Sequence, residues 1–267
     1  MLITFLMKSE SVHPLQYVDL LQLDLTELIQ LEPRLNTEGD ATADGVKAYR
    51  DVLICYLRGS AEALLRTITK SRLTSDFLSV AQLRCEILSG TRLAEEMSSA
   101  EKALKHLRLS ESRAELLFCL TIAGIKTGQF EKASQFALLA DHEFTKLGLN
   151  KKAVKSGFNY LIAQTHLFPT NRFFSDYTLL AERAEQAAEW AVMVAAQLNI
   201  SREFQKVGAL ELALESALKA VNGGLSFGEG TRELGFARLQ KASVLKAMGR
   251  DLEADQEYAF ASLIDHP

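Results

Sequence analysis

Three stretches of this 267-residue chain, KTGQFEKASQFALLA at 126–140, KVGALELALESALKA at 206–220 and AMGRDLEADQEYAFA at 247–261, are variants of one pattern. Each has glycine in third place: Gly128, Gly208 and Gly249. Alanine follows five residues later (Ala133, Ala213, Ala254) and again seven residues beyond that (Ala140, Ala220, Ala261). Seven residues before each glycine stands a small side chain: Thr121, Ser201 or Ala242. Glycine just past a helix end takes up the left-handed conformation that other residues resist, so each landmark reads as the turn of a helical hairpin. Small residues in the middle of the first helix and along the second let the backbones approach, and aliphatics three and four apart fill the flanks. One hairpin alone leaves an apolar face uncovered, and stacking several covers it.

Working outward, the glycines lie 80 and 41 residues apart, which predicts a further hairpin between the first two. KKAVKSGFNYLIAQTHL (151–167) and FSDYTLLAERAEQAAEWA (174–191) have helical spacing and flank FPTNRF, with Pro169 as a break and Asn171 or Ser175 as candidate N-caps. Similar organisation surrounds Gly59 and Gly90, without the alanine spacing. The landmarks predict about five to six hairpins over residues 46–267. Residues 1–45 read as a separate N-terminal part: a helix over about 14–30 with an apolar stripe of Leu20, Leu21, Leu25, Leu28 and Ile29, then a polar, turn-rich loop at 31–45. NGGLSFGEGT at 222–231 holds four of the fifteen glycines and reads as a long, mobile connection before the last hairpin.

The glycine and alanine positions resemble the tetratricopeptide repeat family, closely over about 112–267 and loosely over 46–111. Phe130 or Leu210 stands at the post-turn position and Tyr258 matches the bulky residue between paired alanines. The sequence departs from the pattern at Ala137, Ala217 and Asp251, lacks the terminal proline, and repeats about every 40 residues against the family's 34. The resemblance implies an all-α, right-handed superhelical array that binds proteins or peptides in its concave groove. The longer period is similar to repeat modules of bacterial signalling and regulatory proteins, which implies an alternative role as a sensory domain controlled by a bound peptide or partner.

Composition supports the helical reading and excludes several classes. Hydrophobic residues make up 48% of the chain and charged ones 24%, enough for a folded core, and only four prolines are present. Thirty basic residues against thirty-four acidic give a net charge of −4, too small to mark a nucleic-acid binder. The locally basic KKAVK (151–155) and KALKHLR (102–108) are joined to no stacking aromatics. No run is apolar for the roughly 18 residues that a membrane-spanning helix needs. MLITFLM at the start has no basic residue before its apolar run and is a poor export signal. Cys55, Cys85 and Cys119 are dispersed in apolar stretches and read as reduced thiols of a cytoplasmic protein.

No catalytic constellation is visible, so an enzyme, a metal site and a cofactor are not expected. The 223–230 loop lacks the Gly-Lys-Ser/Thr ending of a phosphate loop, and His142-Glu143 lacks the second histidine of a zinc-protease helix. Asn199-Ile200-Ser201 has the form of a glycosylation acceptor but lies in a predicted helix. Candidate binding residues come from the first helix of each hairpin, which lines the concave side, where residues three and four apart point together. Registering those helices on their glycines places Asn199, Arg202 and Lys206 on one inner face, Lys155 and Asn159 on the preceding repeat and Lys246 on the next. Such a strip suits an acidic segment or C-terminus of a partner protein. Upstream, Glu115, Phe118, Ile122 and Ile125 would give the groove an apolar floor. After Gly249 the last helix is expected to run to about Ile264 with no additional polar helix over the final hairpin, which terminal repeats normally need, so either its outer face meets another chain or the sequence is part of a longer protein. Phe260, Leu263 and Ile264 are therefore candidates for end-face association, including a homodimer.

Overall fold

A computed structural model describes residues 93–105, 111–170 and 172–264. The N-terminal segment, its loop, the hairpin expected about Gly59 and the first helix and turn of the one expected about Gly90 lie outside them, as do Cys55 and Cys85; the second helix of the Gly90 hairpin is present as Leu93–Leu104. The described residues are all-α: α1 Leu93–Leu104, α2 Glu111–Lys126, α3 Phe130–Lys146, α4 Asn150–Leu167, α5 Phe174–Gln186, α6 Trp190–Lys206, α7 Leu210–Phe227, α8 Arg232–Ala247 and α9 Asp251–Ser262. From α2 onward they form four consecutive helix–turn–helix pairs, joined within each pair at Gly128, at 168–173, at Gly208 and at Gly249.

The turn glycines do what the sequence asks of them. Gly128, Gly208 and Gly249 have φ of 72°, 77° and 75°. In each turn the next N–H reaches back to a carbonyl five residues earlier: Gln129 to Gly124 at 2.8 Å, Ala209 to Phe204 at 3.0 Å and Arg250 to Leu245 at 2.9 Å. That bond satisfies a carbonyl the helix end would otherwise leave unpaired. The same bond closes two junctions between hairpins, from Leu149 to Phe144 after Gly148 and from Glu189 to Ala184 after Ala188, both at 2.8 Å. Ala188 holds a φ of 52° where the equivalent position at 148 is glycine.

The chain divides into two compact units. The first comprises, among described residues, 93–129 and 142–149: α1, α2 and the end of α3. Its core is Leu116, Leu117, Leu120, Cys119 and Phe144, with Phe118 edge-on to Phe144. The second comprises 130–141 and 150 onward. In it α4 packs on α5, α5 on α6, α6 on α7, α7 on α8 and α8 on α9. The first helices of successive hairpins also touch, α4 against α6 and α6 against α8.

The small residues of the repeat face the interior. Ala133, Ala140, Ala213, Ala220, Ala254 and Ala261 are all buried, as are Thr121, Ser201 and Ala242. Ala137 and Ala217, where the tetratricopeptide pattern has a bulky residue, are buried too. Ser201 also donates a 2.8 Å hydrogen bond across its hairpin to the Ala213 carbonyl. Larger side chains fill the flanks. Val154, Leu161, Tyr177, Leu180, Met193 and Ile200 form one cluster over α4, α5 and α6; Val194, Leu198, Val221 and Leu234 form another over α6, α7 and α8.

Two local expectations are corrected. The glycine-rich stretch is not a long connection, because α7 continues through Phe227 and only 228–231 link it to α8. Gly223 and Gly224 are buried helical residues at a close approach. A Cβ on Gly224 would lie 2.8 Å from the Leu234 Cα, and one on Gly223 would lie 2.2 Å from the Met193 methyl. Nor does Ser175 cap α5, whose N-cap is Phe173 with no side-chain bond; Asn171 lies outside the described residues.

Candidate partner-binding face

In the second unit α6 and α8 are first helices of adjacent hairpins, and buried and half-buried polar side chains hold them in register. The Gln240 amide donates to Ser201 Oγ at 3.2 Å and to Gln205 Oε1 at 3.0 Å, and Gln205 donates to Ser243 Oγ at 3.1 Å. Position 201 thus pairs with 240, and 205 with 240 and 243, so the two helices run in the same direction. Sequence reading missed this ladder. Its only signal was the 41-residue repeat, which aligns Ser201 with Ala242 and Asn199 with Gln240.

With those flanks engaged, each helix has one open face. On α6 it carries Arg202 and Lys206, both exposed, with Ala191, Ala195 and Asn199 half-buried beside them. On α8 it carries Arg232, Phe236, Leu239, Ser243 and Lys246, which at 100° per residue fall within one narrow stripe. Phe236 is 40% exposed and Leu239 37%, and the Arg232 guanidinium lies over the Phe236 ring at 5.0 Å. The ladder fixes which way each helix is turned, so both stripes open to the same side.

The six residues expected in the groove fall into two groups. Asn199, Arg202 and Lys206 share one flank of α6, and Lys246 stands at the matching C-terminal end of α8. Asn199 turns its amide to the Ala195 carbonyl at 3.0 Å, and Lys206 pairs with Glu203 on its own helix. Lys155, by contrast, pairs at 3.3 Å with Glu189, immediately before α6. That is the far end from Lys206, about 25 Å away along a 17-residue helix. Asn159, one turn beyond Lys155, is half-buried.

Other charges of the second unit tie its helices together. Asp141 receives both arms of the Arg183 guanidinium, at 2.7 and 3.1 Å, linking α3 to α5. Glu257 on α9 takes Arg238 at 2.9 Å and Lys241 at 2.6 Å from α8. Burial pushes the Tyr177 phenol up to about 12; its hydrogen bond with Thr165 opposes the shift and the Glu203 charge adds to it, so the group stays protonated at neutral pH.

The apolar floor expected on α2 is corrected. Glu115 and Phe118 are buried in the first unit, and only Ile122 and Ile125 are partly exposed. The helix is apolar nearly all round, so its pattern marks no single buried side. The end face is corrected in part. Phe260 and Leu263 are exposed, but Ile264 folds back over Gly235 and packs on the Val194 and Leu234 cluster. The Arg238 guanidinium covers the Phe260 ring at 4.9 Å.

Among the described residues no helix is long and apolar enough to cross a membrane, and no group of three or more His, Cys, Asp or Glu is placed to hold a metal ion.

No protein-family model matches the chain, and no curated protein matches it in sequence. Solved structures do share its fold. The apo form of RapI superposes with a TM-score of 0.61 at 14% identity, covering 90% of this chain and 70% of that one. A Rap protein complexed with competence and sporulation factor gives 0.60 at 14% identity, covering 90% and 72%. BtubC (BKLC) from P. vanneervenii gives 0.57 at 18% identity, covering 83% and 91%. At these identities the likeness is one of fold: an all-α array of helical hairpins.

Proposed function

We propose that this chain is a non-catalytic interaction module of the cytoplasm, an adaptor or scaffold, and that a protein or peptide partner seats on the open face of α6 and α8. The observation that carries the reading is that face itself. Two first helices are locked in parallel by the side-chain amides of Gln205 and Gln240, so that Arg202, Lys206 and Lys246 stand toward one end of a surface neither helix needs for its own packing. Cations on a rigid floor favour an acidic segment or a C-terminal carboxylate. The solved Rap structure complexed with competence and sporulation factor gives the same fold a ligand-bound precedent.

The test begins with a photo-crosslinking residue in place of Phe236, used in native extract to capture and identify the partner. Affinity of the purified partner is then measured against the unmodified chain and the Arg202→Glu, Lys206→Glu double variant. Loss of at least tenfold supports the reading, and unchanged affinity sinks it.

A second reading, a sensory or regulatory domain, draws on the similarity to both an apo and a complexed Rap structure. It requires the partner to change the shape of the array. Small-angle scattering of the free and bound chain distinguishes it from an adaptor, whose profile stays constant.

A further inference from the structure

The 41-residue repeat that aligns α7 with α9 exposes a change of sides between them. On α7, Leu210, Leu214, Ala217 and Val221 fall on one stripe at 100° per residue, and Val221 packs there with Leu234 and Ala237 of the next hairpin. The adjacent outward stripe is Glu211, Glu215, Leu218 and Asn222, with Lys219 beside it, all exposed. On α9 the stripe equivalent to the packed one is Asp251, Asp255, Tyr258 and Ser262, all exposed. The outward one is Leu252, Gln256, Ala259 and Leu263, with Phe260 beside it.

Leu252 is 82% exposed and Leu263 77%, more than any other large apolar side chain among the described residues. Single exposed leucines are ordinary on a protein surface, but these two end one stripe, and their counterparts on α7, Glu211 and Asn222, are polar. The hairpin itself does not need them. It holds α9 by the opposite side, where Ala254, Glu257 and Ala261 are buried and Glu257 takes Arg238 and Lys241 of α8.

The spacing selects the occupant. Leu252, Gln256, Ala259 and Leu263 stand at i, i+4, i+7 and i+11, the seam spacing of a two-stranded coiled coil. That seam is its own complement when reversed. A second α9 laid antiparallel sets Leu252 on the partner's Leu263 and the small Ala259 against the partner's longer Gln256, each contact occurring twice. A parallel pair would set Ala259 on the partner's Ala259, leaving a gap, and would gather Asp251, Glu253 and Asp255 of both copies at one end. The antiparallel pair keeps those acids at opposite ends.

We infer that the outward stripe of α9 is where two copies of this chain meet, antiparallel, about a two-fold axis passing between Gln256 and Ala259. The surface is separate from the open face of α6 and α8 and does not depend on it. A helix of twelve residues is about 18 Å long, so the contact lies at the small end of specific interfaces and the association is weak, with a dissociation constant in the micromolar range.

The test is sedimentation equilibrium of the full chain from about 1 to about 300 µM. The weight-average mass is expected to rise from that of one chain toward that of two. Leu252→Glu with Leu263→Glu should weaken association at least about tenfold with circular dichroism unchanged, since both side chains are exposed. Leu252→Glu with Leu263→Lys should recover much of the loss at low salt, because antiparallel pairing sets each glutamate on the partner's lysine. Leu179→Glu, at an exposed leucine of α5, should leave association unchanged. One-chain mass throughout, or association indifferent to the double glutamate variant, overturns the inference. Equal loss in Leu179→Glu overturns it as non-specific, and a glutamate–lysine variant no better than the double glutamate overturns the antiparallel seam.

Discussion

A single methyl group at Gly224 separates two explanations of why glycine stands inside α7. If the position were simply tolerated, alanine would stabilise the helix by about 0.8–1 kcal/mol, the difference in helix propensity. The structure predicts the opposite. The new Cβ would sit 2.8 Å from the Leu234 Cα and 3.1 Å from the Leu234 Cβ and Cδ1, against an optimal carbon separation of about 3.5–4.0 Å. A backbone atom cannot swing aside, so α7 and α8 must part by most of an ångström where Val221, Leu234 and Ala237 pack. Overpacking of this kind costs about 1–3 kcal/mol, so the net loss is as much as about 2 kcal/mol after the propensity gain. At Gly223 the nearest obstacle is the end of the flexible Met193 side chain, and Gly223→Ala should come out near neutral. Repeat arrays need not unfold in one step, so the readout is amide hydrogen exchange in α7 and α8 across a urea series. Increased protection in Gly224→Ala, or equal effects at both glycines, would refute the reasoning.

Three further outcomes follow from the same geometry. Ser201→Ala removes the 2.8 Å side-chain donor to the Ala213 carbonyl and one of the two acceptors of the Gln240 amide, for a loss of about 0.5–1.5 kcal/mol in chemical denaturation. Since alanine fits the equivalent position at Ala242, a neutral result would mean the bonds carry no stability. Ala188→Gly relieves an alanine held at φ 52°; the left-handed penalty of about 1–2 kcal/mol, less glycine's greater freedom when unfolded, leaves a gain of up to about 1 kcal/mol in thermal unfolding. Burial raises the Glu143 pKa, more than the Arg113 guanidinium at 2.9 Å and the neighbouring His142 and Lys146 lower it. With the folded value above the unfolded one, the stabilising contribution is complete at pH below the unfolded value and is lost as pH rises through the folded one. Glu143→Gln should remove that part of the pH dependence from hydrogen exchange of α2, and an unchanged profile contradicts the assignment.

The hairpins were legible because both of their markers answer to local physics. A left-handed φ at Gly128, Gly208 and Gly249 needs glycine, and the close packing of α6 on α7 at Ala213 and of α8 on α9 at Ala254 needs a small side chain. The errors arose where one residue type serves two purposes. Gly223 and Gly224 read as loop because sequence does not distinguish a glycine that turns the chain from one that admits a neighbouring helix. Ala188 shows the converse, a left-handed turn carried by alanine. The face was half legible: helical spacing gathered Asn199, Arg202 and Lys206, but the pair between Lys155 and Glu189 spans 34 residues and has no local signature. The ladder through Gln205, Gln240 and Ser243 was invisible for the same reason, although it holds α6 and α8 in register.

The most direct test of the central claim compares affinities for the captured partner between charge reversals on the open face and on the outer surface of the same unit. Arg202→Glu with Lys206→Glu should weaken binding at least tenfold, about 1.4 kcal/mol or more, while Lys219→Glu on α7, an exposed side chain paired with Glu215, leaves it unchanged. Full affinity in the first variant, or loss confined to the second, would contradict it.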